Sequence, residues 1–317
     1  MSHSDAVISI NALTKFYGDK CAVNALSLEV PRGAVYGLLG PNGAGKTTTF
    51  SILASILRPS SGSARILGVE VGNLYTLRGR VAVLPQDAWF PAQVTIAAQL
   101  AHYARLMGMD DRAAHAEAAR VLAEVGLIDS ATKRGSELSH GMTKRVGIAA
   151  ALIGNPEVLL LDEPTTGLDP RSAFHIKEII ARQAPRATVL VSSHQLADVQ
   201  EICTHGAILD HGKLVQAGTI GELTRQGQEL SLELGRGAPV PLTELMAALG
   251  GDAKAELTAL TDLRIAYDAR RDPAEAIAIV LRVLLDHQVP ILALRRGTSL
   301  EKAFMAMTSE RDWGKAE

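Results

Sequence analysis

The sequence predicts an α/β protein: a core built on a mostly parallel sheet, an antiparallel β layer beside it, a helical block inserted into it, and a small α+β domain after it. Three observations predict this. First, a short apolar stretch, Ala34 to Leu39, runs into a glycine-rich segment and out again into an apolar helical stretch. Second, the uninterrupted apolar runs Val158–Leu161 and Ala187–Val191 have the composition of strands buried on both faces, and each ends in polar residues. Third, the pattern beyond residue 228 changes to a strand–helix–strand–strand–helix–strand series with a tail helix.

The elements follow in order. Val7-Ile8-Ser9-Ile10 alternates as a half-buried strand, Phe16-Tyr17-Gly18 reads as a turn, and Cys21 to Val30 alternates again until Pro31-Arg32-Gly33 stops it. After the glycine segment, a helix is predicted from Thr48 to Leu57, then a turn over Pro59–Ser63 and a strand over Ala64–Leu67. Val81–Leu84 is a buried strand ending at Pro85-Gln86-Asp87. Helical patterns occupy Thr95–Met107, Arg112–Val125 (closed by Gly126) and Thr143–Ile153, with a polar loop from Ser130 to Met142. The helical subdomain thus spans about 99–153. Arg171–Gln183 and Gln195–Ile202 are helices, and strands Gly206–Leu209 and Leu214–Ala217 flank the turn Asp210-His211-Gly212-Lys213. A boundary is expected at Gly221–Gln228, separating a domain over 1–221 from one over 228–317. In the second, Leu230–Leu234, Ala255–Leu260, Arg264–Tyr267 and Ile291–Leu294 read as strands. Leu242–Leu249, a segment opened by Asp272-Pro273 and running to Asp286, and Leu300–Met307 read as helices.

Composition limits the functions open to this chain. Apolar residues make up 47%, ample for a packed core. The net charge is −2 with both signs spread along the chain, so no basic field holds nucleic acid, and none is expected as a partner. Aromatics at 4% argue against stacking platforms for single strands. Cys21 and Cys203 are far apart and read as small buried hydrophobes in a reducing compartment. The first residues lack a basic and apolar leader, and the longest uncharged run, Ala88–Ala104, is interrupted by Pro91, Gln93, Gln99 and His102. A role at a membrane would therefore run through a partner.

Gly40-Pro41-Asn42-Gly43-Ala44-Gly45-Lys46-Thr47-Thr48 fits G-x-x-x-x-G-K-[ST], between a predicted strand and a predicted helix. The glycines let backbone N–H groups close around phosphates, and the helix N-terminus adds partial positive charge. Lys46 is placed to reach the β- and γ-phosphates and the Thr47 hydroxyl to hold Mg²⁺, which makes the core a P-loop NTPase core. Hydrolysis further needs metal ligation and a positioned water. Asp162, at the end of its strand, can hold Mg²⁺ directly or through water, and Glu163 can orient the attacking water. Alone, an Asp-Glu pair after a strand is as easily a solvated turn; the phosphate loop upstream weighs against that. Gln86 can bridge metal and water, and His194 can donate to the γ-phosphate. Each would read as an ordinary surface or structural residue outside this set. Tyr17 either stacks on adenine or covers an edge of the core.

The order Tyr17, Gly40–Thr48, Gln86, Leu138-Ser139-His140-Gly141-Met142, Leu159-Leu160-Leu161-Asp162-Glu163-Pro164, Gly167-Leu168-Asp169 and His194 resembles the ATP-binding cassette (ABC) ATPases over roughly residues 6 to 220. The resemblance implies a head-to-tail dimer binding ATP and Mg²⁺, in which Ser139 and Gly141 of one copy touch the γ-phosphate held by the other. This chain departs from the family's Leu-Ser-Gly-Gly-Gln at His140 and Met142. Thr298-Ser299-Leu300-Glu301-Lys302-Ala303-Phe304 resembles the Leu-Glu-x-x-Phe ending of bacterial exporter cassettes whose permease is a separate chain. The expectation is thus an ATP-hydrolysing exporter subunit, cytoplasmic and peripheral on the inner face of the membrane. The competing readings are a soluble ABC protein acting on DNA or ribosomes, and a cassette that binds ATP to signal. A single cassette without a long coiled coil or basic patch weighs against the first, and Glu163 with His194 against the second. The apolar stretch Trp89-Phe90-Pro91 either docks a permease helix or tucks into the core.

Overall fold

The computed structural model describes residues 6–184, 186–224, 229–235, 239–250, 253–257, 261–268, 271–297, 300 and 304. The chain divides into two units after Ala217. The elements through the first unit are β1 (Ala6–Tyr17), β2 (Lys20–Pro31), β3 (Val35–Leu39), α1 (Lys46–Leu53), β4 (Ser61–Ile66), β5 (Val69–Glu70), β6 (Val81–Leu84), α2 (Ile96–Leu106), α3 (Asp111–Glu124), α4 (His140–Ala151), β7 (Val158–Asp162), α5 (Pro170–Gln183), β8 (Thr188–Ser193), α6 (Leu196–Ile202), β9 (His205–Asp210) and β10 (Lys213–Thr219). Short 3-10 segments lie at Val71–Leu77, Ile128–Ser130 and Gly135–Glu137.

The core sheet runs β10-β9-β3-β8-β7-β6, and β9, β3, β8, β7 and β6 are parallel neighbours. Leu39 pairs with Ser193, Ser192 with Asp162, and Leu161 with Leu84. Four strands therefore end along one edge, and the segments after Leu39, Leu84, Asp162 and Ser193 leave the sheet together. Such an edge is where open α/β sheets bind ligands. All five residues of β3 and of β7 are buried, as strands covered on both faces must be.

The second sheet, β2-β1-β4-β5, is antiparallel. Its Ile8, Leu13, Val23 and Leu26 join Leu38, Phe50 and Leu53 of the core in one apolar cluster. Each fully buried side chain of this size contributes about 2 kcal/mol. β1 continues to Tyr17 instead of turning at Phe16. It pairs with both β2 and β4, and it bends at register shifts and at Ala12, whose φ is 45°. α1 begins two residues earlier than predicted because Gly45, at φ 96°, caps it. It ends at Leu53, since Ser55 turns left-handed at φ 61°, short of Pro59. Ser61 to Ser63, predicted as turn, belong to β4 and pair with β1.

α2, α3 and α4 form the helical block. Thr95 caps α2 and Asp110 caps α3 through side-chain oxygens. α4 starts at His140, not Thr143, because the Ser139 side chain accepts from Met142 N–H and caps it. The predicted polar loop therefore ends three residues earlier and supplies a helix N-terminus.

The second unit contains α7 (Ile220–Leu223), β11 (Glu229–Leu234), α8 (Leu242–Leu249), β12 (Lys254–Leu257), β13 (Asp262–Ala266), α9 (Pro273–Asp286) and β14 (Ile291–Arg296). Its sheet runs β12-β13-β11-β14 with every neighbour antiparallel. Leu230, Leu232, Leu234, Leu263 and Ile265 face one side and pack with Leu245 and Leu249 of α8 and Ala276, Val280 and Leu284 of α9. The strand predicted over Ala255–Leu260 is Lys254–Leu257, and that over Arg264–Tyr267 is Asp262–Ala266. The tail helix predicted over Leu300–Met307 lies outside the described residues except for Leu300 and Phe304. Among the described residues no helix is long and apolar enough to cross a membrane.

Candidate nucleotide site

The segment after β3 folds as the motif requires. Gly43 and Gly45 take φ of 85° and 96°, and a Cβ on Gly45 would lie 2.5 Å from the Ala22 carbonyl oxygen. Only glycine fits there. Lys46, 5% exposed, donates its Nζ to the carbonyls of Gly40 (2.8 Å) and Pro41 (3.2 Å) and stands 3.6 Å from Glu163 Oε1. Thr49 Oγ1 donates to the Gly45 carbonyl and locks the first turn of α1.

A cavity of about 660 Å³ opens over this turn. Asn42, Gly43, Gly45, Lys46, Thr47 and Thr48 line it from the loop; Gln86, Glu163, Thr166 and His194 from the strand ends; Tyr17, Lys20 and Ala22 from the β layer. Gly40 and Pro41 reach the site through the carbonyls that hold Lys46, while Ala44 is buried in the core. Tyr17 is half exposed, with Lys15 Nζ 5.4 Å from its ring centroid.

At the ends of β7 and β8 the side chains form one network. Ser192 Oγ accepts from Glu163 N–H at 2.8 Å and donates to Asp162 Oδ1. Burial pushes the Asp162 carboxyl above the ordinary range, against the pull of the Ser192 hydroxyl, and Lys46 and Lys144 also favour its charged form. Asp162 is buried and does not line the cavity. Glu163 adopts φ 47°, a backbone region rare for a non-glycine residue. Its Oε2 accepts from Thr166 Oγ1 at 2.6 Å and lies 2.9 Å from His194 Nδ1. The carboxylate is thus aimed from three directions: Thr166, His194 and Lys46.

Ser139 and Gly141 are not brought to this cavity. They lie at the first turn of α4, packed toward α5: a Cβ on Gly141 would meet Ser172 Oγ at 2.6 Å. His140 points across to the turn after β7, its Nε2 3.4 Å from where a Gly167 Cβ would stand. The departure from the family pattern at position 140 is accommodated by an open face of Gly167.

Sequence reading missed Thr166, Ser192, Lys144 and the cavity-lining Lys20 and Ala22. Of these, Lys144 carried a signal. Gly141, Lys144, Ile148 and Ala151 recur at helical spacing, and all are buried. A lysine on an apolar stripe is a residue with a buried partner.

Comparison with known proteins identifies the family. Residues 23–166 match the family model described as ABC transporter. The chain is 33% identical over 313 residues to the daunorubicin resistance ATP-binding protein DrrA3 of Streptomyces coeruleorubidus, covering 97% of each chain. It is 31% identical over 316 residues to the Nod factor export ATP-binding protein I of Ralstonia nicotianae, covering 96% of this chain and 94% of that one. A solved ATP-binding subunit of an ABC transporter superposes with a TM-score of 0.63 at 26% identity, covering 69% of this chain and 92% of that one. With its glycine loop, strand-end carboxylates and capped α4 in one frame along its length, the chain belongs to the ABC transporter family, as an ATP-binding subunit and an ATPase.

Proposed function

We propose that two copies of this chain bind ATP head to tail, hydrolyse it at Glu163, and drive a separate permease chain as an exporter. The observation that carries the chemistry is the setting of Glu163, buried in the cavity wall, held by Thr166 and His194 and 3.6 Å from the Lys46 ammonium. A carboxylate so fixed orients water and accepts its proton as the water attacks the γ-phosphate. Lys46 exchanges its two backbone carbonyls for phosphate oxygens, and the N–H groups of the loop hold the remainder of the triphosphate. His194 donates to the γ-phosphate, and Tyr17 offers its exposed ring to adenine.

The donor set fits Mg²⁺. Thr47 and Gln86 offer oxygen from the cavity wall, buried Asp162 would hold the ion through water, and among the described residues no cluster of three or more His, Cys, Asp or Glu competes for a softer metal. An ion held by these residues would supply charge neutralisation for the phosphates, and the Ser192 hydroxyl keeps the Asp162 carboxylate oriented for it.

Ser139 stands exposed at the start of α4, away from its own chain's cavity, which supports the dimer: it is open to ATP held by a second copy, while Gly141 lies buried beside it. The exporter reading rests on the names of relatives, one a drug-resistance and one a Nod-factor-export ATP-binding protein. For the permease, Trp89 is 78% exposed on the segment after Gln86. Phe90 beside it is half-buried, so the stretch does not tuck both rings into the core, which supports the docking reading over the buried one. The location that follows is the cytoplasmic face of the membrane, reached through the permease.

The test is Glu163→Gln. It keeps the shape and removes the charge that activates water. ATP binding is retained, turnover falls by at least about 10²-fold, and an ATP-bound dimer accumulates in size-exclusion chromatography. Hydrolysis at the parent rate removes Glu163 from the chemistry.

A further inference from the structure

Lys144 is 4% exposed, with its charge taken out of water into the gap between two strand ends. Its Nζ donates to the backbone carbonyl of Gln86, just past β6, and to that of Glu163 (3.5 Å), just past β7. Desolvation lowers its pKa, and the nearby carboxylates of Asp87, Asp162 and Glu163 oppose that shift. An ammonium is rarely buried without full pairing. Here two of its three donors go to main-chain oxygens of residues that stand 58 and 19 positions away in sequence.

The geometry matters because these two backbones carry different duties. The stretch from Gln86 leads directly into exposed Trp89; the Glu163 backbone carries the carboxylate at the cavity. The helix that holds Lys144 also carries Ser139 and Gly141 at its start. We propose that Lys144 is a positioning residue that fixes the main chain of Gln86 against that of Glu163, so that α4 and the two strand ends move as one piece. Resting on the ATPase reading above, this assigns to one ammonium the spacing between the permease-facing segment and the water-orienting carboxylate. Lys144 does not line the cavity, and the role assigned to it runs through these two backbones.

The test uses the full chain with three substitutions. Lys144→Met keeps the stem and removes both hydrogen bonds. Its kcat falls about tenfold or more, while the Kd for a fluorescent ATP analogue stays within about twofold, a split expected when positioning rather than binding is lost. Lys144→Arg, which keeps charge and donors, restores kcat to within about threefold of the parent. Lys144→Gln, which keeps a donor without the charge, falls between. If Met disrupts folding, the Gln variant carries the same comparison. A folded Met or Gln variant with the parent kcat overturns the proposal. So does an equal loss of kcat and ATP affinity, or failure of all three variants to fold, each of which makes Lys144 a purely structural residue. A parent chain that does not hydrolyse ATP would instead overturn the ATPase reading, and Glu163→Gln run alongside separates the two failures.

Discussion

Gly141→Ala places a single methyl group where the fold has no room for it. The added Cβ would stand 2.6 Å from Ser172 Oγ and 2.9 Å from Ser172 Cβ, whereas ordinary contact begins at 3.4 Å. The hydroxyl can rotate away, but the Cβ belongs to the first turn of α5, which Asp169 caps by accepting from Ser172 N–H. The helices must therefore separate by about 0.5 Å, the shortfall between 2.9 and 3.4 Å. Overpacking of this kind costs about 1–3 kcal/mol, and alanine's better helix propensity offsets up to about 1 kcal/mol of it. Folding thus survives with a modestly lower midpoint. Activity suffers more, because in the proposed head-to-tail dimer the displaced turn is the one that brings Ser139 and the backbone of residue 141 to ATP held by the second copy. A misplacement of about 1 Å costs on the order of 10²-fold, so half of that predicts about a tenfold loss of kcat. Steady-state ATPase rates beside nucleotide affinity and a urea midpoint measure all three quantities. Ser172→Gly in the same chain removes both clashing atoms and returns most of the rate. Parent rate and stability in Gly141→Ala, or no recovery in the double variant, would refute the argument.

Other perturbations follow from the same geometry. His140→Gly removes the ring beside Gly167; combined with Gly167→Ala in a double-mutant cycle, the two losses of kcat are non-additive, whereas independent effects would deny the contact. Glu117 accepts from Arg120 and from Gly154 N–H, and Arg120 lowers its pKa. A depressed carboxylate pKa adds stability above the unfolded-state value, and that stability is lost as pH falls through the folded-state value. Glu117→Gln therefore lowers unfolding free energy by about 1 kcal/mol at pH 7 and converges with the parent in acid, as denaturant melts across pH will register. Trp89→Asp reduces co-purification with the permease from detergent extracts; undiminished recovery would return the Trp89 loop to a merely surface role.

The parts of the fold and site legible in sequence are those whose cause is local. Apolar runs buried on both faces announced β3, β7 and β8, and a loop that only glycine can turn announced the entry to α1. Element ends were less legible where a distant partner decides them. β1 reaches Tyr17 because β2 pairs with it to the end, beyond Thr14 where β4 stops, and polar Asn11, Thr14 and Lys15 hide that pairing from any alternation rule. α4 begins at His140 through the Ser139 cap, a short-range effect masked by the polar composition around it. Within the site, Glu163 and His194 could be proposed from their places after strands, but the Thr166 bond and the Ser192 bridge could not. A hydroxyl has many possible partners, and only the parallel register of β7 and β8 puts Ser192 beside Asp162. Parallel pairing brings together strand ends far apart in sequence, here those that lead to Gln86 and Glu163, and the gap between them is bridged by a side chain from neither strand. A helix inserted between those strands supplies Lys144 to that gap. The helical block is therefore tied to the main chain just past the ends of both β6 and β7, and the proposed coupling would run through that tie.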